Sequence, residues 1–278
     1  MSETQSTTGT YALGHAPREI QQLQVQSQLL KAFTRRLFEG AGITAGMRVL
    51  DVGCGAGDVT LLAAEFVGRT GSVLGVDNNP NVLQIAQTRV QQAGITQVSF
   101  LTTEIGDLAL DGPYDAIVGR LILEHLPQRT AYLERLLHHL RPGGVVAFQE
   151  YDLVGIAEAT VPFSPLWEQA CQWVLQVFRQ AGVEFRMGMK LYATFLEVGL
   201  PAPELRYETA IGGGPAWLGY QWVADAVRAT LPLILKFGIA TAEEVGIETL
   251  AHRLREQVVS QGGVARLPAL VSAWTRKA

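Results

Sequence analysis

A chain of 278 residues, 48% hydrophobic and 17% charged, can bury a sizeable core, which excludes wholesale disorder and allows one large domain or a domain with a smaller cap. A net charge of −4 argues against a nucleic-acid footprint, which needs clustered lysines and arginines, and the short groups Arg35-Arg36 and Arg276-Lys277 read as solvated faces. The polar start MSETQSTTGT does not read as a signal peptide, no run approaches ~20 apolar residues, and Cys54 and Cys171 share no metal-ligand spacing. The expectation is a reduced, cytoplasmic protein with no membrane segment and no metal; composition leaves the oligomeric state open.

In chain order, Ile20, Leu23, Leu30, Phe33 and Leu37 recur at near-helical spacing, predicting a helix from Pro17 to about Glu39. MRVLDVG then reads as a strand and VTLLAAEFV as a helix. SVLGVD is a strand, and NVLQIAQTRVQQAG a helix with a glycine stop. QVSFLTT and YDAIVG are strands, TAYLERLLHHL a helix, and GGVVAFQEY a fifth strand. Strands apolar almost throughout, separated by helices, imply a parallel sheet covered on both faces. Beyond Tyr151 the rhythm changes. SPLWEQACQWVLQVFRQAG and MKLYATFLEVGL read as helices, ELRYETAIG as a strand, 215–237 and 241–260 as two helices, and ARLPALVSAWTRK as a final strand. The helices at 17–39, 165–182 and 215–260 exceed what a sheet needs for cover and read as a lid. The expected organisation is a lid segment and helix over 1–40, a cofactor-binding core over 41–155, and completion of the sheet with helical insertions over 156–278.

The stretch VLDVGCGAGDVT carries the first chemical signal. Gly53, Gly55 and Gly57 follow an apolar strand and open a helix, but their spacing is neither the dinucleotide fingerprint nor a phosphate-clamping loop. Asp58 reads as the helix N-cap. Asp51 would repel a pyrophosphate and favour a cation, directly or through water. Asp77 ends the second strand 24 residues after Gly53, where an acid can accept bonds from both ribose hydroxyls. The ligand expected is an adenosine with a positive or zwitterionic tail.

D-V-G-C-G-A-G followed by G-V-D resembles the first two motifs of the class I S-adenosylmethionine-dependent methyltransferases, and TTEIGDL, YDAIVGRLILEHL and LRPGGVVAFQE resemble the next three, over roughly residues 45–155. The resemblance implies a Rossmann-like, doubly wound, mostly parallel seven-stranded sheet, with a helical lid from the N-terminus and C-terminal insertions. It implies S-adenosylmethionine as cofactor and a small-molecule substrate. Asp51, Gly53, Gly55, Asp77, Asn78 and Gly119 become cofactor-binding candidates, with Glu104 and Ile105 reading the adenine and Asp107 a rival acid. The opening YALGHAPREIQQL resembles small-molecule methyltransferases whose N-terminal segment closes over the cofactor; Tyr11 then lies on the methionine end of the cofactor or packs the lid. GRLI after the fourth strand replaces the Asn/Asp-Pro-Pro-Tyr-type motif, which disfavours DNA bases and side-chain amides as acceptors.

For catalysis, positioning can supply ~7–11 kcal/mol and a general base roughly 10²–10⁴-fold. Arg120 is placed to hold a substrate carboxylate or phenolate, the alternative being a salt bridge. His125 and Glu150 are candidate bases, with Asp152 and His15 as lesser ones. Trp167, Trp173, Phe178, Trp217, Tyr220 and Trp222 read as core, some of them able to line an apolar chamber, and the glycines of GGGPAWLGYQW as a hinge. The function expected is methyl transfer to a small, aromatic or otherwise apolar metabolite. The alternatives are a non-methylating adenosine-binding module and a dinucleotide-dependent oxidoreductase.

Overall fold

The computed structural model describes residues 17–104 and 110–278, and of residues 17–28 the backbone alone. Tyr11, His15, Ile105 and Asp107 lie outside the described residues. The chain runs α1 (Pro17–Ala41), β1 (Arg48–Val52), α2 (Asp58–Val67), β2 (Ser72–Asp77), α3 (Pro80–Gln92), β3 (Val98–Thr102), β4 (Tyr114–Arg120), α4 (Arg129–His138) and β5 (Leu140–Asp152). It continues through β6 (Thr160–Val161), α5 (Pro165–Gln180), α6 (Met187–Glu197), β7 (Glu204–Glu208) and β8 (Ile211–Gly212). The last elements are α7 (Gly219–Lys236), α8 (Ala242–Val245), α9 (Leu250–Ser260), β9 (Val264–Arg266) and β10 (Ala269–Arg276). Among the described residues no helix is long and apolar enough to cross a membrane.

Seven strands form one sheet in the order β3-β2-β1-β4-β5-β10-β7. The first five are parallel, and β10 runs antiparallel between β5 and β7. Strand order reverses between β1 and β4, so the connections leaving them diverge and open a crevice at their carboxyl ends, where ligands bind in such sheets. This is the Rossmann-like sheet that the motifs implied.

Alternation along the strands divides the core into two layers. Leu50, Val52, Ile117, Val146 and Phe148 face α4 and α6 through Leu133, Leu136, Leu191 and Phe195. Val49, Ala116, Val118, Val145 and Ala147 face Leu62 and Ala63 of α2 and Leu37 and Phe38 of α1. The C-terminal half of α1 is therefore sheet cover, not the surplus helix the sequence reading made it: Leu37 and Phe38 share the core layer of Val145 and Trp274, and a Cβ on Gly40 would lie 3.0 Å from the Trp274 ring.

The chain divides into two compact units. One comprises Leu23–Val154, Glu184–Ala210 and Leu267–Ala278 and contains the seven-stranded sheet. The other comprises Gly155–Val183 and Ile211–Arg266 with the start of α1. It holds a three-stranded antiparallel sheet, β6-β9-β8, that the sequence did not disclose, since its strands are only two or three residues long. Within this unit Trp167 and Tyr220 are buried, and the Trp217 ring stacks on Trp167 at 6.2 Å and meets Tyr220 edge-on at 5.1 Å. The glycine run before them, expected as a hinge, has a packing role at two positions. A Cβ on Gly212 would fall 2.5 Å from the Trp217 ring, and one on Gly213 would strike the Gly263 carbonyl, so both glycines permit close packing.

Two further expectations shift. The helix predicted over 241–260 is two: α8 opens with a capping box from Thr241 and Glu244 and stops at Gly246, which is left-handed at φ 51°. The final strand is also two, because Pro268 has no N–H to donate to a ladder and separates β9 from β10.

Candidate active site

The loop after β1 is built by backbone conformations that only glycine adopts readily. Gly53, Gly55 and Gly57 have φ of 65°, 52° and 85°; a side chain there costs roughly 1–2 kcal/mol per residue. The turn is held by Cys54 N–H on the Val76 carbonyl (3.0 Å) and Gly57 N–H on the Cys54 carbonyl (2.9 Å). The space that a Cβ on Gly53 would fill is occupied by Ile122, with Cδ1 at 2.7 Å and Cβ at 3.0 Å. Gly55 differs: its nearest neighbour would be Val82 at 3.9 Å, which leaves room for a ligand's approach. Gly53→Ala is therefore expected to lower thermal stability by about 1–3 kcal/mol. Ile122→Ala in the same chain should be non-additive with it by at least ~0.5 kcal/mol in a double-mutant cycle; strictly additive losses would show that the clash is absent.

The acids surround this loop. Asp51 is 1% exposed. Its Oδ2 accepts from the Thr60 hydroxyl at 2.5 Å, while its Oδ1 is buried with no partner among the described residues. Burial pushes its carboxyl up to about 7, against the pull of Thr60 and Arg120. Asp77 at the end of β2 accepts from Gly55 N–H through Oδ2 (3.0 Å) and from Asn79 N–H through Oδ1 (2.9 Å), so it ties the glycine loop to the start of α3. The Asn78 side-chain amide donates to Glu104 Oε1 at 3.3 Å, joining the ends of β2 and β3. Asp58 is not the N-cap expected of it. Gly57 is the cap residue, and among the described residues no side chain caps the helix. The Asp58 carboxylate instead accepts from Arg89 at 2.7 Å and lies 3.7 Å from Arg120, because two guanidiniums offer it more than one N–H would.

Arg120 closes β4, directly beside Gln149 of β5. Its side chain is 9% exposed and donates to the Thr34 hydroxyl at 3.1 Å. Thr34 in turn donates to Gln149 (2.7 Å), and Gln149 to Ser272 (2.8 Å), forming a buried polar row along one face of the sheet.

Glu150 has a different place from that of an exposed base. It is fully buried in β5, and its carboxylate accepts the backbone N–H groups of Ile122, Leu123 and Glu124 at 3.1, 2.9 and 3.2 Å. The turn it anchors begins at Leu121, which is left-handed at φ 58°. Glu124 and Glu150 are both raised by burial, and Glu124 further by the Glu150 charge. Three N–H bonds favour charge on Glu150, so Glu124 holds the proton. His125, on the same turn, has a side chain 31% exposed with Nε2 3.5 Å from Glu124. Burial lowers its pKa, so the ring is neutral near pH 7. Gly119 is explained by packing: a Cβ there would lie 2.6 Å from the Phe148 ring.

The structure thus brings Asp51, Gly53, Gly55, Asp77, Asn78, Glu104, Gly119, Arg120 and His125 to the carboxyl edge of β1–β4, and gives Glu150 an anchoring position behind them. Sequence reasoning missed Thr60, Thr34 and Ile122. Thr60 had a signal, lying in the first turn of a helix whose preceding strand carries an acid; Thr34 and Ile122 had none.

A sequence profile of the methyltransferase domain family matches residues 43–193. The demethylmenaquinone methyltransferase of Staphylococcus aureus (strain MRSA252) is 27% identical over 150 residues, covering 53% of this chain and 59% of that protein. The arsenite methyltransferase of Aquipseudomonas alcaligenes is 33% identical over 126 residues, covering 41% of this chain and 36% of that protein. The chain therefore spans less than two thirds of either relative. A solved S-adenosylmethionine-dependent methyltransferase from Aquifex aeolicus superposes with a TM-score of 0.52 at 20% identity, over 69% of this chain and 92% of that one, and so shares the fold.

Proposed function

The chain belongs to the methyltransferase domain family, and from that premise we propose that it transfers a methyl group from S-adenosylmethionine to a small, aromatic or otherwise apolar metabolite. The observation that carries the cofactor is the Asp51 Oδ1 atom, buried and without a partner among the described residues beside three left-handed glycines. A buried carboxylate oxygen left unpaired is costly, and the ammonium group of an amino-acid tail would satisfy it. Asp77 uses one lone pair of each oxygen on a backbone N–H and keeps the others for two ribose hydroxyls. A pyrophosphate would meet Asp51 with repulsion, and the glycine spacing departs from the dinucleotide fingerprint; both disfavour the dinucleotide reading.

When bound, the cofactor supplies a sulfonium methyl open to in-line displacement. Around it, Ile122 packs against the glycine loop and excludes water, and Glu150 fixes the turn that carries His125. Of the two bases expected, we assign proton acceptance to His125, neutral and partly exposed, since the Glu150 oxygens are engaged by three backbone donors. An apolar acceptor is favoured over arsenite on chemical grounds. Trivalent arsenic is a soft centre held best by thiolates, and Cys54 and Cys171 are buried thiols whose pKa burial pushes far up.

Calorimetry with S-adenosylmethionine, S-adenosylhomocysteine and NAD at pH 6 and pH 8 tests the reading. The first two ligands should bind and NAD should not. Both affinities should rise with pH, because the ligand's ammonium prefers ionised Asp51 and the free carboxyl titrates near 7. Binding of NAD in place of S-adenosylhomocysteine would sink it, and a mass-spectrometric screen for the gain of one methyl group would then identify the acceptor only if binding holds.

A further inference from the structure

We infer that Arg120 is a binding residue for the carboxylate of the cofactor's amino-acid tail, forming with Asp51 a clamp for the zwitterion, and not the orienter of the methyl acceptor that its sequence position first implied. The inference rests on the methyltransferase reading and assigns a residue to one end of that ligand.

The placement follows from register. Asp51 pairs with Val118 in the parallel β1–β4 ladder, and paired residues point to one face. Arg120 lies two residues beyond Val118, so its side chain leaves the same face one step nearer the carboxyl edge. That face is the one covered by α2 and α1, through Asp58, Thr60 and Thr34. Arg120 is among the groups whose charge holds down the Asp51 carboxyl, with Asp77 and Asp58 acting in the opposite sense.

The guanidinium is under-used. It carries five N–H donors in a side chain only 9% exposed, yet among the described residues its contacts are one hydroxyl, Thr34 at 3.1 Å, and one long ion pair, Asp58 at 3.7 Å. Asp58 is already engaged more closely by Arg89 at 2.7 Å. A nearly buried cation so loosely met calls for an anion with two oxygens, which the fork of an arginine matches. On the same face Asp51 Oδ1 lacks a donor among the described residues. One ligand group satisfies both demands, an α-amino acid with ammonium and carboxylate on neighbouring atoms.

The test compares S-adenosylmethionine with its decarboxylated form, which keeps the adenosine, the sulfonium and an amine, in titrations of the whole chain by calorimetry. Wild type should bind the intact cofactor more tightly. Arg120→Met should weaken that binding about 10- to 150-fold, the range for a hydrogen bond to a charged group, and leave the decarboxylated ligand within about threefold of wild type. Asp51→Asn should weaken both. Arg120→Lys, which keeps the charge and Thr34 contact but loses the fork, is the second variant should the methionine form fail to fold; it should show a smaller loss confined to the intact cofactor. Equal weakening of both ligands by the Arg120 variants, or no weakening, overturns the clamp. Failure of wild type to bind either ligand overturns the methyltransferase reading itself.

Discussion

Glu150→Ala is expected to lower the melting temperature by about 6–12 °C, a loss of roughly 3 kcal/mol at ~2–4 °C per kcal/mol. The variant removes the acceptor of three successive backbone N–H groups, those of Ile122, Leu123 and Glu124. Each bond to a charged group is worth about 1.5–3 kcal/mol, and a buried N–H left unmet costs about 1–3 kcal/mol. Against this, the variant abolishes the cost of burying one carboxylate and of keeping Glu124 protonated beside it. Water entering the emptied space could meet at most part of the demand, and Leu121 at φ 58° has no compensating reason to hold its conformation once the anchor is gone. The three bonds therefore outweigh the relief. Glu150→Gln should lose less, since its amide oxygen still accepts. Thermal unfolding followed by circular dichroism decides the matter; an alanine variant melting within 2 °C of wild type would mean that the turn stands without Glu150. The same substitution should draw the Glu124 carboxyl down, because the charge that raises it is removed.

Asp77→Ala should weaken S-adenosylhomocysteine binding about 10²–10⁴-fold, the sum of two charge-assisted bonds at roughly 1.5–3 kcal/mol each. Its effect on stability should be smaller than that of Glu150→Ala. The N–H groups it serves, on Gly55 and Asn79, are only part-buried, and solvent can take over as acceptor. A gap between a large loss of affinity and a small loss of stability would mark a residue that touches the ligand. If titration of a folded Asp77→Ala protein gives an affinity within threefold of wild type, the ribose is held elsewhere. The contrast between the two acids follows from where their oxygens point. Those of Glu150 are consumed by the protein, whereas each oxygen of Asp77 spends one lone pair on the backbone and retains another.

Much of the site was legible because its chemistry is local. Alternation of glycine over Gly53–Gly57, an apolar strand before it and a helix after it require only neighbouring residues to specify a left-handed loop. An acid at the end of the second strand, and Asn78 and Glu104 at adjacent strand ends, follow once a parallel order is assumed. The sheet was legible for a related reason. Strands buried on both faces must be apolar throughout, so β1, β2, β4 and β5 announce themselves without any knowledge of their partners. Where local signals were weak, the reading failed in small ways. Strands of two or three residues carry no period, Gly246 inside a helical run was passed over, and Pro268 was allowed inside a strand.

What tertiary structure alone decided was which partner each polar group would find. Glu150 looked like an exposed acid at a strand exit, but the chain folds a turn 26 to 28 residues earlier back over it and spends both its oxygens on the backbone. Asp58 read as a cap until Arg89 and Arg120 arrived from two other elements. Arg120 read as the orienter of an acceptor or as half of a salt bridge; register puts it on the face of Asp51, against Thr34 at a separation of 86 residues and 3.7 Å from Asp58. The sequence by itself determined the elements, their parallel sheet and the glycine-and-acid frame, because periodicity and backbone preference act over a few residues. Hydrogen-bond and ion-pair partners were decided by the fold, because a buried charge or N–H takes the strongest partner within about 3 Å, and which groups come that close is fixed only when distant strands are laid side by side.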